Sequence, residues 1–274
     1  MLIYYMKPEY IIYLFIVLTT LAIFYYYFNK KTQEGVANIV NIKTEQNRTR
    51  RIPLNIYQTW KTLKLPPKMK KCVDYVRHQN PEFKHYLYDD EMCATFIKNH
   101  FSKEVFNTYN KLKPGAYKAD LWRYCVLYIN GGIYMDIKFQ NIPGFKLIGI
   151  TEKEHYVKDL MESGGGIYNA FIVSYPNNPS LLEAIKQIVK NTENNYYGEG
   201  PLSPTGPVLL KKMFTSEQVE NMEMTIGDYN GDLSIFYKNV PILTCYKGYR
   251  DEQLKTKNYK PYSYLWETRD IYFK

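Results

Sequence analysis

The chain has 274 residues and a formal charge of +9, from 36 Lys and Arg against 27 Asp and Glu. Its 23% charged and 45% hydrophobic residues exclude a disordered chain and suit one generous domain, or a domain plus an anchor. The lysines are scattered and no nucleic-acid recognition motif accompanies them. The charge therefore points to an anionic membrane surface or a basic cleft for an anionic ligand, with no nucleic acid as partner. Cys72, Cys93, Cys125 and Cys245 form no C-x-x-C pair, which argues against zinc. Cys72 and Cys125 fall on apolar helical faces and read as reduced core residues.

Residues 1–9 are a short tail. Tyr10 to Phe28 then runs nineteen residues without a charge, long enough to span a bilayer as a helix. Tyr10, Tyr25, Tyr26 and Tyr27 suit the membrane interfaces. Bulky tyrosines and Asn29-Lys30-Lys31 stand where a signal peptide would show small residues, so the span reads as an uncleaved single-pass anchor. Its orientation stays open. Lys30 and Lys31 favour a cytoplasmic domain, whereas the sequon Asn47-Arg48-Thr49 would be used only in a lumenal one. Residues 29–51 are polar and read as a stem.

The domain runs over 52–274. Leu54 to Tyr57 reads as a first strand, and Pro66-Pro67 opens a helix with Met69, Cys72, Val73 and Val76 on its apolar face. Asn80-Pro81 breaks the chain before a strand over Phe83 to Tyr88, and Asp89-Asp90 caps the next helix, burying Phe96 and Ile97. This β-α-β-α order predicts an α/β fold with a parallel sheet. The stretch Pro114 to Gln140 predicts a helix with Ala116, Ala119, Trp122, Cys125, Val126 and Ile129 on its buried face. Asn130-Gly131-Gly132 then ends the helix, and a central strand follows over Ile133 to Phe139. Asp120 and Arg123 share one face of that helix. Asp136, in an apolar strand, needs a partner to be ionised there. Later, IYNAFIVSYP reads as a strand, Pro179 to Lys190 as an amphipathic helix, Tyr197 to Pro207 as a Gly- and Pro-rich loop, and Val208 to Phe214 as a helix.

The stretch from Ala116 to Lys138 closely resembles the signature of DXD-containing glycosyltransferases of family 32, the capsular polysaccharide and fungal outer-chain mannosyltransferase type. The matching residues are Ala116, Ala119, Asp120, Arg123, Tyr124, Leu127, Gly131, Gly132, Tyr134 and Asp136. Its Asp, Arg, Tyr, Asp spacing also resembles the clostridial glucosylating toxins. Ile52, Pro53, Ile56, Gln58 and Trp60 match a second family motif, with Tyr57 replacing the usual His. Asn169-Ala170-Phe171 and Thr205-Gly206-Pro207 resemble two further segments. Two positions depart: Lys138 stands where the family has its second Asp, and Leu265 stands before Trp266 where the family usually has a His.

The resemblance implies a nucleotide-sugar transferase fold (GT-A, Rossmann-like) and transfer of a hexosyl residue from a UDP- or GDP-sugar to a glycan, glycolipid or protein acceptor, with retention. The membrane would be a Golgi- or ER-type one, or a viral one. Asp120, Asp136 and Lys138 become the expected catalytic residues. Tyr57, Gln58, Trp60, Arg123, Tyr134 and Asn169 become the expected donor-binding residues, with Trp60 stacking on the base. Most such enzymes hold Mn²⁺ or Mg²⁺ on acidic oxygens at the diphosphate. Asp136 would be a ligand if a metal is used. A protonated lysine cannot ligate a cation, so Lys138 speaks for a metal-independent site. The competing reading is a Lys138–Asp136 structural ion pair in a carbohydrate-binding protein that has lost turnover.

Overall fold

The computed structural model describes residues 9, 16–27, 30, 52–159, 165–256 and 260–274. Residues 16–27 are helical (α1), and Ile16, Leu18, Leu21, Ile23 and Phe24 on it are exposed. Among the described residues no helix is long and apolar enough to cross a membrane. The remainder of the expected 10–28 anchor, most of the stem and the Asn47 sequon lie outside them.

From Ile52 onward the chain builds one mixed sheet. Its first strand, β1 (Asn55–Thr59), leads through α2 (Pro67–Gln79) to β2 (Lys84–Tyr88). Met69, Cys72, Val73 and Val76 are buried on α2, and Pro67 starts it without losing a needed N–H. Next come α3 (Asp90–His100), α4 (Lys103–Lys111) and α5 (Gly115–Asn130), then β3 (Gly132–Met135) and β4 (Phe139–Asn141). The Asp89 carboxylate caps α3 by accepting the Met92 N–H at 2.9 Å. Strands β5 (His155–Lys158) and β6 (Ile167–Ser174) precede α6 (Pro179–Glu193), α7 (Pro207–Lys211) and α8 (Ser216–Glu220). The meander β7 (Met224–Tyr229), β8 (Asp232–Tyr237) and β9 (Val240–Cys245) follows, and α9 (Tyr249–Leu254) and α10 (Tyr262–Glu267) end the chain.

Among the described residues the strand order is β2-β1-β3-β6-β5-β7-β8-β9-β4. The expected parallel sheet is realised across β2-β1-β3 and again at β5/β7, whereas β6 runs antiparallel to β3 and β5 and the meander is antiparallel within itself. Alternation along the strands sorts residues between two cores. Tyr57, Tyr134 and Ile172 face the helices α3 to α6, while Ile56, Ile133, Met135 and Phe171 face α2 and the meander.

Three expectations are corrected. Helix α5 has no single apolar stripe: Tyr117 and every residue from Asp120 to Leu127 are buried, Ala119 and Ile129 are half-buried, and Ala116 is exposed. It runs through the core with packing all round, so a one-sided pattern is not required. The central strand stops at Met135 instead of Phe139, because the Asp136 C=O accepts the Phe139 N–H at 3.0 Å and turns the chain into β4. The third concerns β1, which runs two residues further than expected, since Gln58 and Thr59 pair with Leu87 and Tyr88 of β2. Gly131 and Gly132 end α5 with φ of +59° and +116°. A side chain at Gly132 would also meet the Asn55 carbonyl at 2.7 Å.

Candidate active site

Strands β1 and β3 are parallel neighbours, with Tyr57 level with Tyr134, so their carboxyl ends lie at one edge. Trp60 and Asp136 sit just beyond those ends, the usual place for a ligand in an open α/β sheet. Helix α5 lies against β3 and brings Asp120 and Arg123 to the same edge.

Arg123 is 5% exposed. Its Nε donates to the Ala119 carbonyl at 3.1 Å, and Nη1 donates to the Asn169 carbonyl at 2.6 Å and to Asp136 Oδ1 at 3.3 Å. Nη2 stands 3.2 Å from Asp120 Oδ1, and the guanidinium lies 4.3 Å over the Tyr134 ring. One guanidinium thus bridges the buried Asp120 and the half-buried Asp136, a task its rigid fork suits. Sequence reasoning gives Arg123 to the donor sugar; in the structure most of its hydrogen-bonding capacity serves the protein.

Asp120 accepts Asn169 Nδ2 at 2.9 Å and the Thr205 hydroxyl at 2.7 Å. Burial pushes its pKa above the ordinary carboxylate value, against the pull of Arg123, Thr205 and Asn169. Asn169 Nδ2 also donates to the Tyr124 hydroxyl at 2.8 Å, which fixes the amide's orientation. Asp136 accepts the Tyr134 hydroxyl at 2.8 Å on Oδ1 and Lys138 Nζ at 2.6 Å on Oδ2. Burial alone would raise its pKa, but Lys138 and Arg123 outweigh burial and hold it below the usual range. Lys138 reaches Asp136 across the turn, not by strand alternation, and stands 5.5 Å and 5.9 Å from the ring centres of Tyr168 and Tyr249.

The structure therefore brings together Asp120, Arg123, Tyr134, Asp136, Lys138 and Asn169. Tyr57 and Gln58 lie within β1, not after it. The Tyr57 ring stacks on Tyr86 in the core, with centres 5.2 Å apart. Gln58 is fully buried and its Oε1 meets His85 Nε2 at 2.8 Å. Trp60 is half-buried and packs against the cluster of Met69, Cys72, Val73, Ile137, Tyr246 and Tyr249. It lines a cleft of about 590 Å³ with Lys61, Lys64, Lys68, Lys255, Gly248 and Glu252. Tyr249 follows Gly248 of the cleft lining, and its ring centre stands 5.9 Å from Lys138 Nζ. Another cavity, of about 440 Å³, lies beside the amino end of β5 and contains none of these residues.

Thr205, Tyr168 and Tyr249 were not among the expected site residues. Thr205 belongs to the Gly- and Pro-rich loop of residues 197–207, which is tied down by side chains from other elements. Its carbonyls accept from Tyr117 at Pro201, Asn191 at Pro204, Tyr124 at Thr205 and Trp266 at Tyr197. The Thr205-Gly206-Pro207 match is the signal that points to it.

The carboxylate and guanidinium cluster thus lies at the carboxyl edge of a mixed α/β sheet. Residues 66–152 match the family model described as the glycosyltransferase sugar-binding region containing DXD motif. An uncharacterised glycosyltransferase of Acanthamoeba polyphaga mimivirus is 32% identical over 47% of this chain and 52% of its own. The Schizosaccharomyces pombe inositol phosphoceramide mannosyltransferase 3 is 29% identical over 70% of this chain and 53% of its own. The Candida albicans initiation-specific alpha-1,6-mannosyltransferase is 34% identical over 31% of this chain and 24% of its own. The chain thus spans between a quarter and about half the length of these curated relatives.

Proposed function

We propose that the chain is a membrane-anchored glycosyltransferase of GT-A type, which moves a hexosyl residue from a UDP- or GDP-sugar to a glycan, glycolipid or protein acceptor with retention. The observation that carries the reading is the cluster of Asp120, Arg123, Asp136 and Asn169 at the carboxyl ends of β1 and β3, inside the segment that matches the sugar-binding region. The base stacks on Trp60 and the diphosphate lies toward Lys138. Asp120 and Asp136 accept hydrogen bonds from sugar hydroxyls. The fungal relatives' names make mannose the first hexose to test. Anchoring through residues 10–28 is supported by the uncharged run and by the exposed apolar side chains on 16–27.

The second reading, a carbohydrate-binding protein without turnover, is favoured by one contact, the 2.6 Å Lys138–Asp136 pair that occupies a carboxylate oxygen. Donor hydrolysis by the purified full chain separates the two. UDP- and GDP-sugars are screened, mannose first, with acceptor extracts present. Release of nucleoside diphosphate that disappears in Asp120→Asn supports the transferase; no release from any donor leaves the binding protein.

A further inference from the structure

The exchange of an acid for Lys138 changes what the site can hold. A divalent cation needs several oxygen lone pairs at about 2.0–2.6 Å. Here Asp136 Oδ1 already accepts the Tyr134 hydroxyl and faces Arg123, and Oδ2 accepts Lys138. Asp120 is likewise taken, by Asn169, Arg123 and Thr205. A cation entering at Asp136 would face two fixed positive charges at hydrogen-bond distance from its ligand. Among the described residues no group of three or more His, Cys, Asp or Glu is arranged for a metal ion. The residues present do not fit the Mn²⁺ or Mg²⁺ that the DXD resemblance implies.

We infer that this site takes its nucleotide-sugar without a divalent cation, with the Lys138 ammonium facing the diphosphate where a metal would otherwise stand. The inference rests on the donor-site reading above. Lys138 carries three N–H donors and gives one to Asp136. Its side chain is 14% exposed, walled by Tyr168 and Tyr249, so the charge is fixed and little hydrated. The adjoining cleft adds to the positive field. It offers Lys61, Lys64, Lys68 and Lys255 against Asp251 and Glu252. Glu252 is already held by the Lys68 and Met69 backbone N–H groups of α2.

In the transfer, the bond from the sugar's anomeric carbon to the β-phosphate oxygen breaks and its electron pair stays on that oxygen. The acceptor hydroxyl oxygen bonds to the anomeric carbon, and its proton passes to the departing phosphate. Lys138 remains protonated throughout and opposes the growing charge, so it neither gives nor takes a proton.

The test uses the full chain in detergent. UDP and GDP are titrated calorimetrically in EDTA and in Mn²⁺, and free Mn²⁺ is followed separately by electron paramagnetic resonance. One nucleoside diphosphate is expected to bind with a Kd that agrees within about threefold in the two conditions, while the protein retains no Mn²⁺. Lys138→Gln should weaken that nucleotide at least about tenfold and leave the parent nucleoside unchanged, because a charge-assisted hydrogen bond is lost. Lys138→Arg should keep EDTA-tolerant binding, and Lys138→Asp should acquire Mn²⁺ binding. Tenfold tighter nucleotide binding in Mn²⁺, or Mn²⁺ retained by the unaltered chain, would overturn the inference and leave the donor site standing. Lys138→Gln binding the diphosphate as tightly as the parent would also overturn it. No nucleotide bound under either condition would remove the donor site itself, and this inference with it. Should Lys138→Asp fail to fold, the Gln and Arg variants still decide.

Discussion

Replacing Arg123 by Met tests whether one guanidinium holds the site together. The side chain is 6% exposed and stands between Asp120 and Asp136. Met keeps much of the volume but removes the charge and the donors. Asp136 would keep Lys138; Asp120 would keep only the neutral donors Asn169 and Thr205. Removing one partner of a buried pair costs about 3–5 kcal/mol, much of the roughly 5–15 kcal/mol that stabilises a domain. At about 2–4 °C per kcal/mol for a domain of this size, Tm should fall by roughly 6–20 °C. Circular dichroism melts of the full chain read this directly. Adding Asp120→Asn removes the uncompensated carboxylate, so the double variant should melt above the sum of the two losses, and the cycle should show coupling of at least about 1 kcal/mol. A Tm within about 2 °C of the parent in Arg123→Met would mean that Arg123 does not neutralise these carboxylates. Additive losses in the cycle would refute the Asp120–Arg123 coupling alone.

Three further outcomes follow from other contacts. Trp60→Ala should weaken the bound nucleotide by about 1–3 kcal/mol through lost stacking, with the nucleoside losing as much as the diphosphate; calorimetry reads both. Glu252→Ala frees the amino end of α2 and the Tyr246 hydroxyl, and should cost about 1–2 kcal/mol in denaturant unfolding. His85 gives a pH test. Burial first, and Arg77 second, lower its pKa from 6.5 to about 4. The unfolded chain takes up this proton near pH 6.5 and the folded chain only near 4, so the stability is intact above about 6.5 and is lost as pH falls through 4. His85→Gln should flatten that loss, on the order of 2–3 kcal/mol between pH 7 and 4, and parallel curves would refute it.

The site was legible where local spacing alone sets contact. Asp120 and Arg123 meet because they are three apart on a helix, and the Gly131-Gly132 stop is forced by positive φ. Trp60 reaches the carboxyl edge because it follows a strand, whichever residue ends that strand. Other parts depended on partners distant in sequence. Gln58 reads as a polar residue near a strand end; β2 lies beside β1 and covers it with His85. Thr205 reaches Asp120 across 85 positions, and Tyr249 meets Lys138 through the returning C-terminal segment. The β7–β8 hairpin turns on Asn230-Gly231, both at positive φ, a dipeptide suited to such a turn.

The D-x-K exchange shows how one turn changes the meaning of a motif. In a continuous strand, positions 136 and 138 would share a face with side chains roughly parallel, and a lysine there could extend away from the aspartate. The chain instead turns at Asp136, with its carbonyl accepting the Phe139 N–H, and the Lys138 backbone carbonyl is tied to the Tyr246 N–H at 3.0 Å. That tie fixes where the lysine side chain starts, and Tyr168 and Tyr249 limit where it can go. The ammonium therefore sits on Asp136 Oδ2, with Arg123 on the other oxygen. Substituting one acid by lysine thus removes a cation ligand and engages the remaining one. Under the inference drawn above, the protein's own charges counter the diphosphate, Lys138 first and then the lysines of the Trp60 cleft.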